Sequence, residues 1–305
     1  MRLLKSIAHR ELAHKLFYST QPLERQNMNE HFDGTRLFLI GSDASGAMSP
    51  GLWNPVLEQL GTDWRYEAWD VPENFPMDAV RGRLLESDVV AANVTMPHKQ
   101  WAAATADDAT DQVRLSGAAN LLVRSRGTLT AHNTDITAVR ELVGGRRQRH
   151  IVMLGAGGAA RAALIALHGQ ADRITITDRD AGAASRLVLL ASSLGLAAES
   201  ATWPDAQRRA CNASLILNAT PIGKKRGDGP VWGDGRLADD TFVYDYVYAG
   251  HTTASINAAR EQGLECADGW DHLRAQAAAM VPLLSLAPQA EALLRCRVMA
   301  LQEQG

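Results

Sequence analysis

The sequence predicts an α/β fold in two domains, and three observations carry that expectation. From Thr35 onward, short β-branched apolar runs alternate with stretches of helical periodicity, the pattern of strands covered by helices. Ile151-Val152-Met153-Leu154 leads directly into Gly155-Ala156-Gly157-Gly158-Ala159-Ala160 and then Arg161 to Leu167. That is strand, glycine turn and helix, in the order that dinucleotide-binding domains use. Between the two halves lies the polar run Gly144-Gly145-Arg146-Arg147-Gln148-Arg149, suited to a linker. The reading is an N-terminal α/β substrate domain over 35–143 and a Rossmann dinucleotide-binding domain over 144–270. The helical tail, 271–305, is expected to fold back on the first domain.

Composition narrows the partners. The chain has 305 residues, 46% hydrophobic and 21% charged, enough to bury two cores. A net charge of −3 gives no electrostatic reason to expect nucleic acid or an anionic membrane as partner. No apolar run approaches the ~20 residues of a membrane-spanning helix. Cys211, Cys266 and Cys296 are odd in number, widely spaced and without metal-ligand spacing, as expected of buried thiols in the reducing cytoplasm. The nine histidines form no ligand-spaced cluster, so no metal site is expected. Residues 1–34 carry Leu3, Leu4, Ile7, Leu12, Leu16 and Phe17 among Arg2, Lys5, Arg10 and Lys15. They read as an amphipathic extension, an extra helix or arm on the domain, rather than a secretory signal; the scarcity of acidic residues leaves a transit peptide as the alternative.

The elements follow in order. Arg36 to Ile40 reads as a strand, and Ser49-Pro50, after a glycine- and serine-rich loop, as a helix N-cap with proline at the first helical position. That helix runs to about Gly61. Trp64–Trp69 is a strand, Met77–Glu86 a helix, and Val89–Val94 a strand ending in Thr95-Met96-Pro97-His98-Lys99. A helix over Gln100 to Ala106 follows, then a hairpin of Ala118–Val123 and Thr128–His132 turned at Ser125-Arg126-Gly127. Asn133-Thr134-Asp135 opens a helix to Val143. In the second half, strands are expected at Ile151–Leu154, Ile174–Thr177, Leu215–Leu217 and Phe242–Val247, in a parallel sheet covered on both faces.

Ligands of such sheets bind beyond the carboxyl ends of the strands. Thr95, Lys99, Asn120, Asn133 and Asp135 all sit beside predicted strand ends, with Lys99 four residues past Thr95. A lysine beside a carboxylate suits an alcohol–ketone interconversion, which must move a hydroxyl proton as hydride moves. Taken singly these residues are helix-start and turn residues; their shared location is what points to chemistry. Asp178 ends the second strand of the dinucleotide unit, where a carboxylate meets the adenosine ribose and repels a 2′-phosphate. That predicts NAD as the preferred cofactor. Arg179 beside it keeps NADP possible, and a plainer role for Asp178 is to cap the next helix.

Read together, the motifs resemble the shikimate dehydrogenase family, which includes the quinate/shikimate dehydrogenases. The likeness runs from Thr35 to about Ser285. It rests on Gly41…Ser49-Pro50…Asn54, Asn93-Val94-Thr95-Met96-Pro97-His98-Lys99, Gly117-Ala118-Ala119-Asn120 and Asn133-Thr134-Asp135. It continues through Gly155 to Arg161, Asn218-Ala219-Thr220-Pro221-Ile222-Gly223, Asp245-Tyr246-Val247-Tyr248 and Gly269…Leu273…Gln276-Ala277. The resemblance implies a cleft between two domains, with Lys99 and Asp135 as the catalytic pair. It implies Ser49, Thr95, Asn120, Tyr248 and Gln276 as ligands of a cyclic polyhydroxy carboxylic acid. The cofactor residues it implies are Gly155, Ala156, Gly157, Gly158, Ala159, Asp178, Arg179, Asn218, Thr220 and Gly269. A monomer or homodimer working on a small molecule is expected. The chain departs from the pattern at Ala47, where the family usually offers a second serine to the substrate carboxylate, and at Gly46, Lys224 and Ala249-Gly250. Ser45 is the hydroxyl at hand to replace that serine, although an exposed loop serine is the plainer reading. The alternatives are an enzyme specialised for a modified acid, such as an amino-substituted analogue, and a non-catalytic nucleotide-binding regulator.

Overall fold

The structure, a computed structural model, describes residues 35–304; the expected amphipathic extension over 1–34 lies outside the described residues. The first half is built from β1 (Arg36–Gly41), β2 (Arg65–Asp70), β3 (Val89–Val94), β4 (Asp108–Ala109), β5 (Leu121–Ser125) and β6 (Thr128–His132). Their order in the sheet is β2-β1-β3-β5-β6-β4. The sheet is mixed: β1, β2 and β3 run parallel, and β5 then pairs antiparallel with both β3 and β6. The β5–β6 hairpin turns at Arg126 and Gly127, both at positive φ, the geometry whose twist matches two strands joined by two residues. Around this sheet lie α1 (Ser49–Gln59), α2 (Met77–Leu84), α3 (Lys99–Thr105) and α4 (Asp111–Ser116), and α5 (Thr134–Val143) leaves it.

The second half holds β7 (Ile151–Leu154), β8 (Arg173–Thr177), β9 (Ala197–Ser200), β10 (Leu215–Asn218), β11 (Phe242–Asp245) and β12 (Cys266–Ala267). All are parallel, in the order β12-β11-β10-β7-β8-β9, the doubly wound Rossmann arrangement counted from β7. The crossovers are α6 (Gly158–Ala166), α7 (Ala181–Ser193), α8 (Trp203–Ala210) and α9 (Ala254–Glu261). The chain ends in α10 (Gly269–Leu283) and α11 (Gln289–Gln304). Three strands, β4, β9 and β12, were not expected from the sequence: all are sheet edges, β9 largely exposed and the other two only two residues long. The strand expected to reach Val247 stops at Asp245.

Alternation along β1 shows how the core is divided. Leu37 and Leu39 face one way, into a cluster with Leu52, Trp53 and Val56 of α1 and with Leu273, Met280, Leu293 and Val298 of α10 and α11. Phe38 and Ile40 face the other way, toward Val80 and Leu84 of α2 and Ala102 of α3. Each such side chain, fully buried, contributes about 1.5–3 kcal/mol, so the last two helices are held firmly on the first sheet. Helix α5 buries Ile136, Val139 and Val143 among Ile151, Met153 and the α6 residues of the second core. It therefore packs into the half that follows it. At the outer edge of the first sheet, the Asn54 amide donates to the Tyr66 carbonyl (2.9 Å) and accepts the Tyr66 N–H (2.8 Å). Among the described residues no helix is long and apolar enough to cross a membrane, and Cys211, Cys266 and Cys296 are half-buried free thiols.

Candidate active site

Topology gathers the polar residues before any chemistry is considered. Thr95 and Lys99 follow the carboxyl end of β3, and Asp135 follows that of β6. Because β5 is antiparallel to β3, Asn120 just before it lies at the same edge of the sheet. Lys99 Nζ donates to Asp135 Oδ2 at 2.6 Å, with the aspartate side chain only 3% exposed. Asn120 Nδ2 donates to Asp135 Oδ1 (2.8 Å), and its carbonyl oxygen accepts the Thr134 N–H (2.8 Å) at the start of α5. Asn120 thereby satisfies a helix-start donor that Asn133, at the cap position, leaves without a side-chain partner. Gln276 Oε1 lies 3.4 Å from the same Asn120 amide, which brings α10 to the pair.

Asp135 is held ionised. Burial alone would push its carboxyl up, but the Lys99 charge and a hydrogen bond from His272 outweigh that and bring it well below the ordinary carboxylate range. Its place in the first turn of α5 favours the charge further. His272 Nε2 lies 3.2 Å from Asp135 Oδ1, and its Nδ1 lies 2.7 Å from the Tyr244 hydroxyl.

A second polar group stands near α1. The Tyr66 hydroxyl donates to Asn93 Oδ1 (2.7 Å) and meets the Ser49 side chain, with burial raising the phenol above its usual value. Ser49 is itself the first residue of α1, and neither it nor Met48 caps that helix through a side chain. The expected N-cap role is thus corrected: Ser49 turns its hydroxyl to Tyr66 instead. Tyr248 stacks at a tilt on Trp270, ring centroids 5.7 Å apart, and is pushed up by burial. Ala47 packs at the rim of the first core, together with Tyr248. Ser45 is engaged elsewhere: its N–H and hydroxyl both donate to Asp70, at 2.9 and 2.7 Å. It is the exposed loop serine of the plainer reading, with its hydroxyl committed to Asp70 rather than standing in for the missing serine.

The dinucleotide turn fits its expected occupant. Gly155 has φ +98°, and a Cβ there would lie 2.6 Å from the Ala219 carbonyl oxygen. A Cβ on Gly157 would meet nothing within 4 Å, so the backbone at the start of α6 faces open space with no side-chain cap. Those N–H groups, from Gly157 through Ala159, are the ones a pyrophosphate takes. Asp178 accepts the Ala156 N–H (2.7 Å) and the Asp180 N–H (2.8 Å), so it braces the glycine turn from the end of β8. The capping role considered for Asp178 belongs to Asp180, which accepts the Gly182 N–H at the start of α7. Arg179 is exposed. Asn218 is fully buried; it donates to Ile222 O and Asp245 and accepts from Thr220, so its side chain shapes the loop after β10. Gly269 has no room for a Cβ, which would sit 2.5 Å from the Tyr248 nitrogen. Its absence lets α10 start against Val247-Tyr248. The two halves meet where a Cβ on Gly158 would lie 3.2 Å from Lys99 Cδ.

Sequence reasoning missed three of the residues gathered here. Asn93 and Tyr66 take part through their side chains, and His272 touches Asp135. His272 lies four residues before Gln276, on the same helix face, and that spacing was the available signal.

A half-buried lysine on a buried aspartate, set against the glycine turn of a Rossmann sheet, marks an oxidoreductase that uses a nicotinamide cofactor. A family profile described as the shikimate dehydrogenase substrate binding domain matches residues 39–122. A shikimate dehydrogenase (NADP(+)) of Methylocella silvestris is 36% identical over 251 residues, covering 80% of this chain and 88% of that protein. The solved structure of a 5-ketofructose reductase from a Gluconobacter species superposes with a TM-score of 0.74 at 26% identity, over 88% of this chain and 99% of that one. A quinate dehydrogenase from Corynebacterium glutamicum in complex with NAD shares the fold, with a TM-score of 0.78 at 24% identity over 88% of this chain and 99% of that one. The chain belongs to the shikimate dehydrogenase family.

Proposed function

We propose that this enzyme interconverts a ring hydroxyl and a ketone on a cyclic polyhydroxy carboxylic acid of the shikimate or quinate kind. The observation that carries the reading is the Lys99–Asp135 pair lying against Gly158, the first residue of the cofactor helix. When bound, the nicotinamide ring gives or takes the hydride. In the reducing direction Lys99 donates a proton from Nζ to the developing alkoxide, and in the oxidising direction it takes the proton back. Asp135, kept ionised, holds the ammonium in place and favours its return after each turnover. Ser49, Thr95, Asn120, Tyr248 and Gln276 supply the hydroxyl and amide partners that a polyol acid needs. NAD is the preferred cofactor, supported by the acid at the end of β8; Arg179 beside it would serve NADP. The free thiols accord with a cytoplasmic enzyme.

A second reading is favoured by Ala47 together with the engagement of Ser45 by Asp70. The carboxylate end then offers one hydroxyl fewer, which suits a member specialised for a modified acid. Turnover of shikimate, quinate and amino-substituted analogues with each nicotinamide cofactor separates the readings. Shikimate or quinate turned over best supports the first, and an analogue turned over best supports the second. No turnover of any ring acid, with the nucleotide still bound, would make the chain a nucleotide-binding regulator.

A further inference from the structure

His272 is absorbed by neither the expected substrate contacts nor the cofactor turn. It is 7% exposed on α10, wedged between Asp135 and the nucleotide sheet. Tyr244, on β11, has no exposed surface, and burial keeps its phenol protonated by raising it well above its usual value. Its hydroxyl lies 2.7 Å from His272 Nδ1; because the ionised Asp135 can only accept from Nε2, Nδ1 of the neutral ring is left to accept the Tyr244 O–H. A ring that accepts at Nδ1 carries its hydrogen at Nε2, and Nε2 is the atom 3.2 Å from Asp135 Oδ1. The Tyr246 ring, 4.6 Å from the imidazole centroid, packs edge-on against it and restrains it from turning over. Asp135 thus accepts from Asn120 and His272 on Oδ1, and Oδ2 is left to Lys99.

We propose that His272 is a positioning residue of the acid–base pair: its Nε2–H aims Asp135 at Lys99, and Tyr244 holds the imidazole in the tautomer able to do so. The need arises within the reaction proposed above, on which this inference rests. Once Lys99 has given up its proton, the buried carboxylate has lost its cationic partner. Two donors on the opposite oxygen keep it a carboxylate, in place to receive the lysine's charge again. The chain of contacts from β11 through α10 to α5 also ties the nucleotide half to the reacting group.

The test compares His272→Met, which fills the volume without a donor, with His272→Gln, whose side-chain amide can reproduce an Nε2 donor. With the best ring acid, His272→Met is expected to lower kcat about tenfold or more, as loss of a hydrogen bond to a charged group does. KM and the nucleotide dissociation constant should stay near wild type, and His272→Gln should recover most of kcat. Tyr244→Phe, which leaves the histidine in place, should lower kcat in the same direction. A ¹⁵N-histidine NMR spectrum of the wild-type protein needs no turnover: it should show His272 with its proton on Nε2, a preference that Tyr244→Phe relaxes. Wild-type kcat in His272→Met, equal losses in Met and Gln, or a resting tautomer protonated at Nδ1 would each overturn the proposal. Absence of turnover in the wild type would overturn the proposed function instead, and the NMR result would still decide this one.

Discussion

The two sheets build their sites in opposite ways. In the Rossmann sheet every strand is parallel, so all carboxyl ends face one edge, and one contiguous stretch, Gly155 to Ala159, forms the glycine turn proposed to cradle the phosphates. In the mixed sheet β5 alone runs against the other strands, and its hairpin with β6 is needed to bring Asn120 and Asp135 beside Lys99. On the proposed function, nucleotide binding rests on local backbone geometry, and the chemistry rests on side chains recruited from remote segments. Damage to one should leave the other measurable.

The sharpest way to test that separation is Lys99→Met, which keeps the stem and removes the amine. Turnover should fall by ~10²-fold or more with nucleotide affinity nearly unchanged. Asp135→Asn should lose a similar amount, and the double variant little more, because the pair acts as a unit. Near-wild-type turnover at saturating substrate would end the assignment. The converse cut is Gly155→Ala. Its φ of +98° and the Ala219 carbonyl at 2.6 Å leave no room for a methyl group. Nucleotide affinity should weaken about tenfold or more, with ~2 kcal/mol lost from folding, by calorimetry and thermal melts. A stable variant that binds nucleotide normally would break the comparison.

Smaller changes sharpen it. Asp178→Asn should shrink the ratio of kcat/KM with NAD to that with NADP by roughly tenfold, with some general loss because the carboxylate also braces Ala156. A wild type that favours NADP would assign the β8 end to Arg179. Least of all, Ala47→Ser should lower KM for shikimate a few-fold, a new hydroxyl to a carboxylate offset by its own desolvation. An unchanged or higher KM would mean that the acid is held without that position.

What was legible in the sequence follows the same division. Gly155 to Arg161 is contiguous, flanked by strand and helix patterns, and reads without tertiary information. The blocks ending in Lys99 and Asp135 were legible as strand-end motifs, although their 2.6 Å contact spans 36 residues of chain. His272 was hidden because the helix after it turns apolar and alanine-rich, and only its i,i+4 relation to Gln276 marks a face. Ser45 was legible as an exposed loop serine, but its partner was not. Its partner Asp70 lies 25 residues away at the end of a neighbouring strand, and pairing between strand ends leaves no local periodicity. The edge strands β9 and β12 lack apolar runs for the same physical reason that makes them edges: solvent covers part of them.

The amide of Asn54 has a consequence for how copies of this chain behave when crowded. An outer strand presents unpaired backbone groups that another molecule's extended segment can use as a template, the first step of edge-to-edge aggregation. At Tyr66 in β2 both groups are already occupied, because Asn54 donates and accepts there much as an incoming strand would. Exposed Arg65 and Asp70 put opposite charges near the two ends of the same strand, so any added strand would have to cover them. A single side chain thus steadies the residue whose hydroxyl meets Ser49 and, on that residue's other side, denies neighbouring molecules a place to dock.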